Sequence, residues 1–284
     1  MFTPTAPLPV VCTESPSRAN PIAYRDGAYR SPPLRPSLLA RISPWWAYYP
    51  RLVATIFSAS ARAKRGCYSN WDWVESSYKL FHGLEELGVQ IEITGAEHLE
   101  QAERPALIVG NHMSTLETAV LPAIIQPFRD VTFVVKRSLI DYPVFRHVMR
   151  SRNPIAVSQT NPREDLQTVL EEGPKRLEAG LSLVIFPEGR RTPVFDASRF
   201  NTLGVKLAHR TGAPIVPMAL KTDAWRVGKG LMADFGRIDP SRKVRFAFGP
   251  PMRVAGRGGE EQRALLDFIT AHLRTWEVED APRG

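Results

Sequence analysis

The sequence predicts an α/β domain, a mainly parallel sheet flanked by helices, with an N-terminal helical membrane-associating segment ahead of it. Three observations carry this reading. Short apolar runs of strand length alternate with longer segments of helical character, the pattern of strands joined by crossover helices. A content of 43% apolar residues in 284 supports a proper core in one large domain, or in one domain with an appendage. Finally, the stretch from Gly27 to Trp71 holds no Asp or Glu while it is rich in Arg and aromatic residues, unlike the rest of the chain.

Residues 1–36 are proline-rich with little apolar periodicity and read as a disordered arm. Residues 37–88 read as the basic-aromatic segment, with helices at about Leu52–Lys64 and Asp72–Leu87. Residues 89–284 read as the α/β domain. Its expected strands are Val89–Thr94, Pro105–Val109, Val131–Val135, Leu181–Phe186, Pro214–Leu220 and Lys243–Phe248. Between them lie helices at Thr115–Ile125, stopped by Pro127, and at Arg163–Ala179, with Pro162 at its start and an interruption at Gly173-Pro174. Phe200–Arg210, ending at Gly212, and Glu260–Trp276 are the last two helices. No internal repeat is present.

A formal charge of +8 points to an anionic partner: a lipid surface, a nucleic acid or a phosphorylated substrate. Arg30, Arg35, Arg41, Arg51, Arg62, Lys64 and Arg65 share their segment with Trp45, Trp46, Tyr48, Tyr49, Phe57, Tyr68 and Trp71. Amphipathic rings prefer the headgroup level of a bilayer, and each cation near an anionic leaflet contributes on the order of 1 kcal/mol. The first helix carries Leu52, Val53, Ile56 and Phe57 on one side and would lie flat on a membrane. That places the chain peripherally or monotopically at a cytoplasmic membrane face. The competing reading packs these aromatics on the domain and leaves the arginines solvated. No stretch reaches the roughly 18 apolar residues of a membrane span, and no secretory signal pattern opens the chain. Cys12 and Cys67 have no metal-type spacing and read as reduced thiols.

Two loops hold the residues that can do chemistry. Gly110-Asn111-His112-Met113-Ser114-Thr115-Leu116-Glu117 follows one buried strand, and Phe186-Pro187-Glu188-Gly189-Arg190-Arg191-Thr192 follows another. In open α/β sheets, ligands bind beyond the carboxyl ends of the strands. Ser114 is a good N-cap, and Glu117 completes a capping box. A capping-box carboxylate points back toward the residues before the helix, where His112 stands. Positions five apart within a helix diverge by about 140°, so His112 and Glu117 can meet only because His112 precedes the N-cap. Capping and partnering His112 are both open to Glu117. Gly189 permits a tight turn, and Arg191 suits bidentate phosphate contact.

Together the two blocks resemble the paired signature of the glycerolipid acyltransferases, the family of lysophosphatidic acid acyltransferase. That signature has an Asn-His-x-x-x-x-Asp block and then a Phe-Pro-Glu-Gly-Thr-Arg-Ser block. The resemblance runs from about Leu84 to Arg253. It implies an O-acyltransferase moving a fatty acyl group from acyl-CoA or acyl carrier protein, as co-substrate, to a lysophospholipid hydroxyl, 1-acylglycerol-3-phosphate first among them. His112 would be the general base and Glu117 its orienting carboxylate; Glu188, Gly189, Arg190 and Arg191 would hold the acceptor, with Lys136 assisting. No bound cofactor or metal is implied. A neutral imidazole takes the hydroxyl proton, and a carboxylate on its other nitrogen fixes the tautomer.

The chain departs from the pattern at five places. Glu117 stands for the usual Asp, Arg190 for the usual Thr and Thr192 for the usual Ser. Arg146 stands for a Gly, and Ser158-Gln159 for an Asp-Arg whose Arg generally contacts phosphate. Arg150, Arg152 and Arg163 are candidate substitutes for that cation. These changes keep open a different acceptor, an amino-acid lipid or a glycolipid. Gly212-Ala213-Pro214-Ile215-Val216-Pro217 resembles the family's last block and reads as acyl-pocket lining or as packing. A serine hydrolase is excluded by the absence of a Gly-x-Ser-x-Gly elbow. A non-catalytic membrane binder remains an alternative; nucleic acid is not expected, since no motif for it appears. His82, His98, His147, His209 and His272 form no ligand pattern.

Overall fold

The apolar runs assemble into one eight-stranded sheet. The computed structural model describes residues 19–228 and 235–281. The strands are β1 (Tyr29–Arg30), β2 (Ile91–Thr94), β3 (Leu107–Gly110), β4 (Val131–Lys136), β5 (Ile155–Val157), β6 (Ser182–Ile185), β7 (Ile215–Lys221) and β8 (Val244–Phe248). Their spatial order is β1-β2-β8-β7-β3-β6-β4-β5. The pairs β2–β8, β7–β3, β3–β6, β6–β4 and β4–β5 are parallel; β1–β2 and β7–β8 are antiparallel. The sheet is therefore mixed, though mainly parallel. Between β7 and β8, Trp225 bridges Ile238 in antiparallel sense.

The helices are α1 (Leu38–Ile42), α2 (Pro44–Lys64), α3 (Asn70–Glu86), α4 (Glu97–Gln101), α5 (Thr115–Ile125), α6 (Arg137–Asp141), α7 (Arg146–Ser151), α8 (Pro162–Glu178), α9 (Leu203–Thr211) and α10 (Gly259–Asp280). Successive strand side chains point to opposite faces, so each central strand feeds two cores. Leu107 and Val109 of β3 and Leu183 and Ile185 of β6 pack with Val169, Leu207 and Leu265 from α8, α9 and α10. Ile108 and Val184 face the other way, onto Phe81 and Leu84 of α3 and Leu116 and Val120 of α5. All these residues are at or near complete burial, each worth roughly 1.5–3 kcal/mol. That two-sided burial explains why the runs are apolar throughout.

Several expectations are corrected. Residues 19–36 are not a loose arm: β1 adds a strand to the sheet edge, Ile22 is buried, and Tyr29 Oη and Ser31 Oγ donate to Glu85 at 2.5 and 2.6 Å. Residues 1–18 lie outside the described residues. Helix α2 starts at Pro44, not Leu52; a proline in the first turn gives up an N–H that has no helical partner there. Helix α8 runs unbroken through Pro174, and Gly173 lets α9 approach so closely that a Cβ would stand 2.8 Å from Leu207. Cys67 is disulfide-bonded, against the expectation of a reduced thiol, because spacing alone does not report pairing. Cys12 falls outside the described residues.

The basic-aromatic segment divides between its two readings. Tyr48, Tyr49 and Tyr68 are buried, and Tyr48 and Tyr49 meet Trp225 edge-on at 5.4 and 5.8 Å. Leu52 is buried as well, whereas Leu38, Leu39, Ile42, Trp46 and Phe57 stand exposed on α1 and α2. Among the described residues no helix is long and apolar enough to cross a membrane.

Candidate active site

Strands β3 and β6 are parallel neighbours, so the loops after them emerge at the same edge of the sheet. Asn111 fixes the end of β3 to β7. Its side-chain amide donates to Leu220 O and its oxygen accepts from Leu220 N, both at 2.9 Å. The chain then passes His112 and enters α5 with Ser114 as an extended N-cap. His112 therefore stands outside the helix, with its side chain 16% exposed.

Glu117 is fully buried and accepts hydrogen bonds on both oxygens. Oε1 takes His112 Nδ1 at 2.9 Å, Met113 N at 2.6 Å and Ser114 N at 2.7 Å. Oε2 takes Ser114 Oγ at 2.9 Å and Thr222 Oγ1 at 2.6 Å. Burial alone pushes this carboxyl up. Hydrogen bonding and attraction from His112, with hydrogen bonds from Thr222 and Ser114, outweigh burial and hold it below the usual carboxylate range. An ionised Glu117 can only accept, so Nδ1 carries the imidazole proton and Nε2 is the acceptor nitrogen. One carboxylate thus closes the capping box and sets the tautomer.

The second loop wraps over the first. Glu188 Oε2 accepts the backbone N–H of His112 at 2.7 Å, its Oε1 accepts Thr192 Oγ1 at 2.6 Å, and Thr192 N donates to His112 O at 2.8 Å. Phe186 stacks on the imidazole at 4.4 Å and 14°. Burial pushes the Glu188 carboxyl above its ordinary value. The hydrogen bonds from Thr192 and His112 N–H and the attraction of His112 only partly offset this, and nearby Glu117 adds to it. Gly189 holds a φ of +68°, and nothing lies within 4 Å of where a Cβ would stand, so the turn is open on that side.

The cations are placed unequally. Arg191 Nη1 donates to Thr115 Oγ1 at the start of α5, which brings its guanidinium beside the His112 loop. Arg190 is exposed on the turn, and Lys136 is exposed at the end of β4. Gln159 Nε2 donates to Gly189 O, so the residue in the expected phosphate position holds the turn instead. Arg152 is committed elsewhere, to Asn70 Oδ1 at 2.6 Å and Tyr68 O at 2.7 Å, above the rings of Tyr68 and Trp73. Arg150 pairs with Asp141 at 3.9 Å. Arg163 lines a surface cavity of about 350 Å³ with Leu166, Leu170 and Arg210. Ala213, Ile215 and Val216 pack in the two cores.

Sequence reasoning assigned no role to Thr222, Phe186 or Asn111. Thr222 follows β7, a third strand ending at the same edge, and that position was the available signal. The assembled groups are a proton acceptor of fixed tautomer, a carboxylate behind it, and the Arg191 guanidinium beside its loop. Such a site can activate a hydroxyl on an anionic substrate.

The Acyltransferase family's sequence model matches residues 90–221. The 1-acyl-sn-glycerol-3-phosphate acyltransferase of Pseudomonas aeruginosa is 30% identical over 192 residues, which is 68% of this chain and 69% of that protein. The 1-acyl-sn-glycerol-3-phosphate acyltransferase of Limnanthes alba is 33% identical over 143 residues, 50% of this chain and 49% of that protein. Against the crystal structure of the 1-acyl-sn-glycerophosphate acyltransferase PlsC from Thermotoga maritima, the TM-score is 0.62 at 17% identity. That match covers 84% of this chain and 96% of the other, and at this identity it shows the fold.

Proposed function

The chain belongs to the acyltransferase family, and on that premise we propose that it acylates the free hydroxyl of 1-acyl-sn-glycerol-3-phosphate, with His112 as general base. The relatives' names support this acceptor. The observation that carries the mechanism is the 2.9 Å hydrogen bond from His112 Nδ1 to the fully buried Glu117. Nε2 removes the hydroxyl proton as the oxygen attacks the thioester carbonyl of acyl-CoA or acyl carrier protein. The carbon–oxygen bond forms, the carbon–sulfur bond breaks, and the imidazolium returns its proton to the departing thiolate. Glu117 stabilises the imidazolium between these steps. Because the acceptor is itself the nucleophile, the reading needs no enzyme nucleophile and no bound cofactor.

Arg191 and Arg190 hold the acceptor's phosphate, with Lys136 at the rim, and Glu188 keeps the two loops in register through His112 N–H. The exposed Leu38, Leu39, Ile42, Trp46 and Phe57, with Arg35 and Arg41 beside them, support peripheral attachment to a membrane surface. The neutral Gln159 favours keeping an uncharged acceptor as a second reading.

Thiol release from long-chain acyl-CoA, and separately from acyl carrier protein, tests the proposal with wild type and His112→Ala. Release that needs 1-acyl-sn-glycerol-3-phosphate and vanishes in the variant is expected. Release only with a neutral lysolipid would move the reading to the second acceptor, and an undiminished variant would remove His112 as base.

A further inference from the structure

Thr222 stands one residue beyond the stretch that the family's sequence model matches, and its side chain is fully buried. Its hydroxyl donates to Glu117 Oε2 at 2.6 Å and accepts from Ser114 Oγ at 3.1 Å. Its placement is tightly determined. Gly110 of β3 pairs with Met218 of β7, and Asn111 then bonds both backbone polar groups of Leu220. Two residues on, Thr222 is delivered opposite Glu117.

We propose that Thr222 is a positioning residue for acyl transfer: its hydroxyl clamps Oε2 of Glu117, so that Oε1 stays ionised and aimed at His112 Nδ1. This rests on the general-base reading of His112. The terminal torsion of a glutamate is broad, so donors on Oε1 alone leave the carboxylate plane loosely set. A donor on the second oxygen fixes that plane. Ser114 Oγ is a partial substitute at best. Its single proton is shared among Glu117 Oε2 at 2.9 Å, Thr222 O at 3.1 Å and Thr222 Oγ1 at 3.1 Å. The charged groups that act on this carboxylate from the neighbouring loops are His112 and, from the loop after β6, Glu188. Neither of them changes when Thr222 is replaced.

The sign of the effect on pH dependence follows. A hydrogen bond to the charged form of a carboxyl favours that form, so removing it makes Glu117 hold a proton to higher pH. On the general-base reading the active form has Glu117 ionised, so a carboxyl that holds its proton to higher pH costs activity on the acid side. The acid limb of the rate profile therefore moves upward when the hydroxyl is lost.

The test is thiol release from long-chain acyl-CoA by the full chain, with 1-acyl-sn-glycerol-3-phosphate as acceptor, from pH 5 to 9. Wild type, Thr222→Val, Thr222→Ser and His112→Ala are compared, with thermal melts as a check on folding. In Thr222→Val, kcat is expected to fall about tenfold, the loss of one hydrogen bond to a charged acceptor. Both KM values stay within about twofold, the acid limb moves up, and Thr222→Ser restores rate and profile. A valine variant with wild-type rate and profile overturns the proposal. So does a loss that serine fails to recover, since that marks packing of the methyl group. If the valine variant does not fold, Thr222→Ala carries the same comparison. An active His112→Ala would defeat the general-base reading itself, whereas an inactive one beside a normal Thr222→Val defeats only the positioning role.

Discussion

Replacing Glu117 by Gln separates the charge of this residue from its hydrogen-bonding geometry. The amide oxygen can occupy the Oε1 position and still accept Met113 N–H and Ser114 N–H, now 2.6 and 2.7 Å away. The amide nitrogen then falls where Thr222 Oγ1 and Ser114 Oγ can accept from it. The helix start survives, and so does the Nδ1–H tautomer. What disappears is the negative charge 2.9 Å from the ring that becomes a cation under the proposed mechanism. A hydrogen bond to a charged group is worth about 1.5–3 kcal/mol, so kcat is expected to fall roughly 10- to 150-fold. KM should hold, because no substrate contact changes. Because an amide does not titrate, the acid limb of the rate profile should no longer carry the contribution of residue 117 and should differ from wild type. Glu117→Ala differs in kind. It leaves two buried N–H donors unpaired, at about 1–3 kcal/mol each, and should melt well below Glu117→Gln.

The stability of the two proteins should also diverge with pH. The folded Glu117 carboxyl sits below its ordinary range, so it contributes stability above the unfolded value that is lost as pH falls through the folded one. Thermal melts across an acid series should show wild type losing its advantage over Glu117→Gln in that window. Steady-state thiol release supplies kcat, KM and the limb. A glutamine variant with wild-type kcat and an unmoved acid limb would refute the catalytic part of the reasoning and leave Glu117 as a helix cap.

Glu188 carries the opposite sign. Its folded carboxyl is raised, so its stabilisation is present in acid and is lost as pH rises through the folded value. Glu188→Gln should therefore gain melting temperature relative to wild type between acid and mildly alkaline pH while losing activity, and a pH-independent difference would count against this. Arg191→Ala should raise KM for the phosphate acceptor roughly tenfold or more with little change in kcat, and leave a neutral lysolipid unaffected; equal losses on both acceptors would place Arg191 outside phosphate recognition. Trp46→Ser with Phe57→Ser should weaken sedimentation with anionic vesicles by roughly tenfold or more, since each exposed ring offers on the order of 1.5–3 kcal/mol of apolar burial. Undiminished sedimentation would detach these residues from the membrane.

What could be read from sequence depended on the distance between partners. The capping box and the Glu188-Gly189 turn are local signals, and they located His112, Glu117 and the open turn where they stand. The apolar runs gave the central strands because two-sided burial leaves a plain mark. Thr222 acts on a carboxylate 105 positions earlier in the chain, and no local pattern announces such a partner. Periodicity also could not tell Tyr48 from Trp46: both are aromatic residues of α2, and only the position of Trp225 decides which one is covered. Residues 19–36 were misread for a related reason. Proline-rich composition argues against a packed unit, but a two-residue strand and one buried Ile22 need only a neighbouring sheet edge.

The arrangement around Glu117 bears on why such a site can be rigid at little expense. The first N–H groups of any helix lack helical partners and must find acceptors when buried. At the start of α5 the N–H groups of the N-cap Ser114 and of Met113 before it turn to Glu117, and both would need a buried acceptor here even in a protein with no chemistry to do. The fold therefore already calls for an acceptor in this place, a demand that the amide of Glu117→Gln would also meet and that Glu117 meets with a carboxylate. On the proposed mechanism, catalysis adds only a histidine at the preceding turn, a ring stacked over it and a hydroxyl just past the neighbouring strand. Charge stabilisation is effective when the stabilising group need not reorganise as the reaction proceeds. A carboxylate already holding the start of a helix meets that condition. The same economy binds stability to activity, because substitutions at Glu117 that disturb one must be separated from the other by geometry, as the glutamine and alanine variants do.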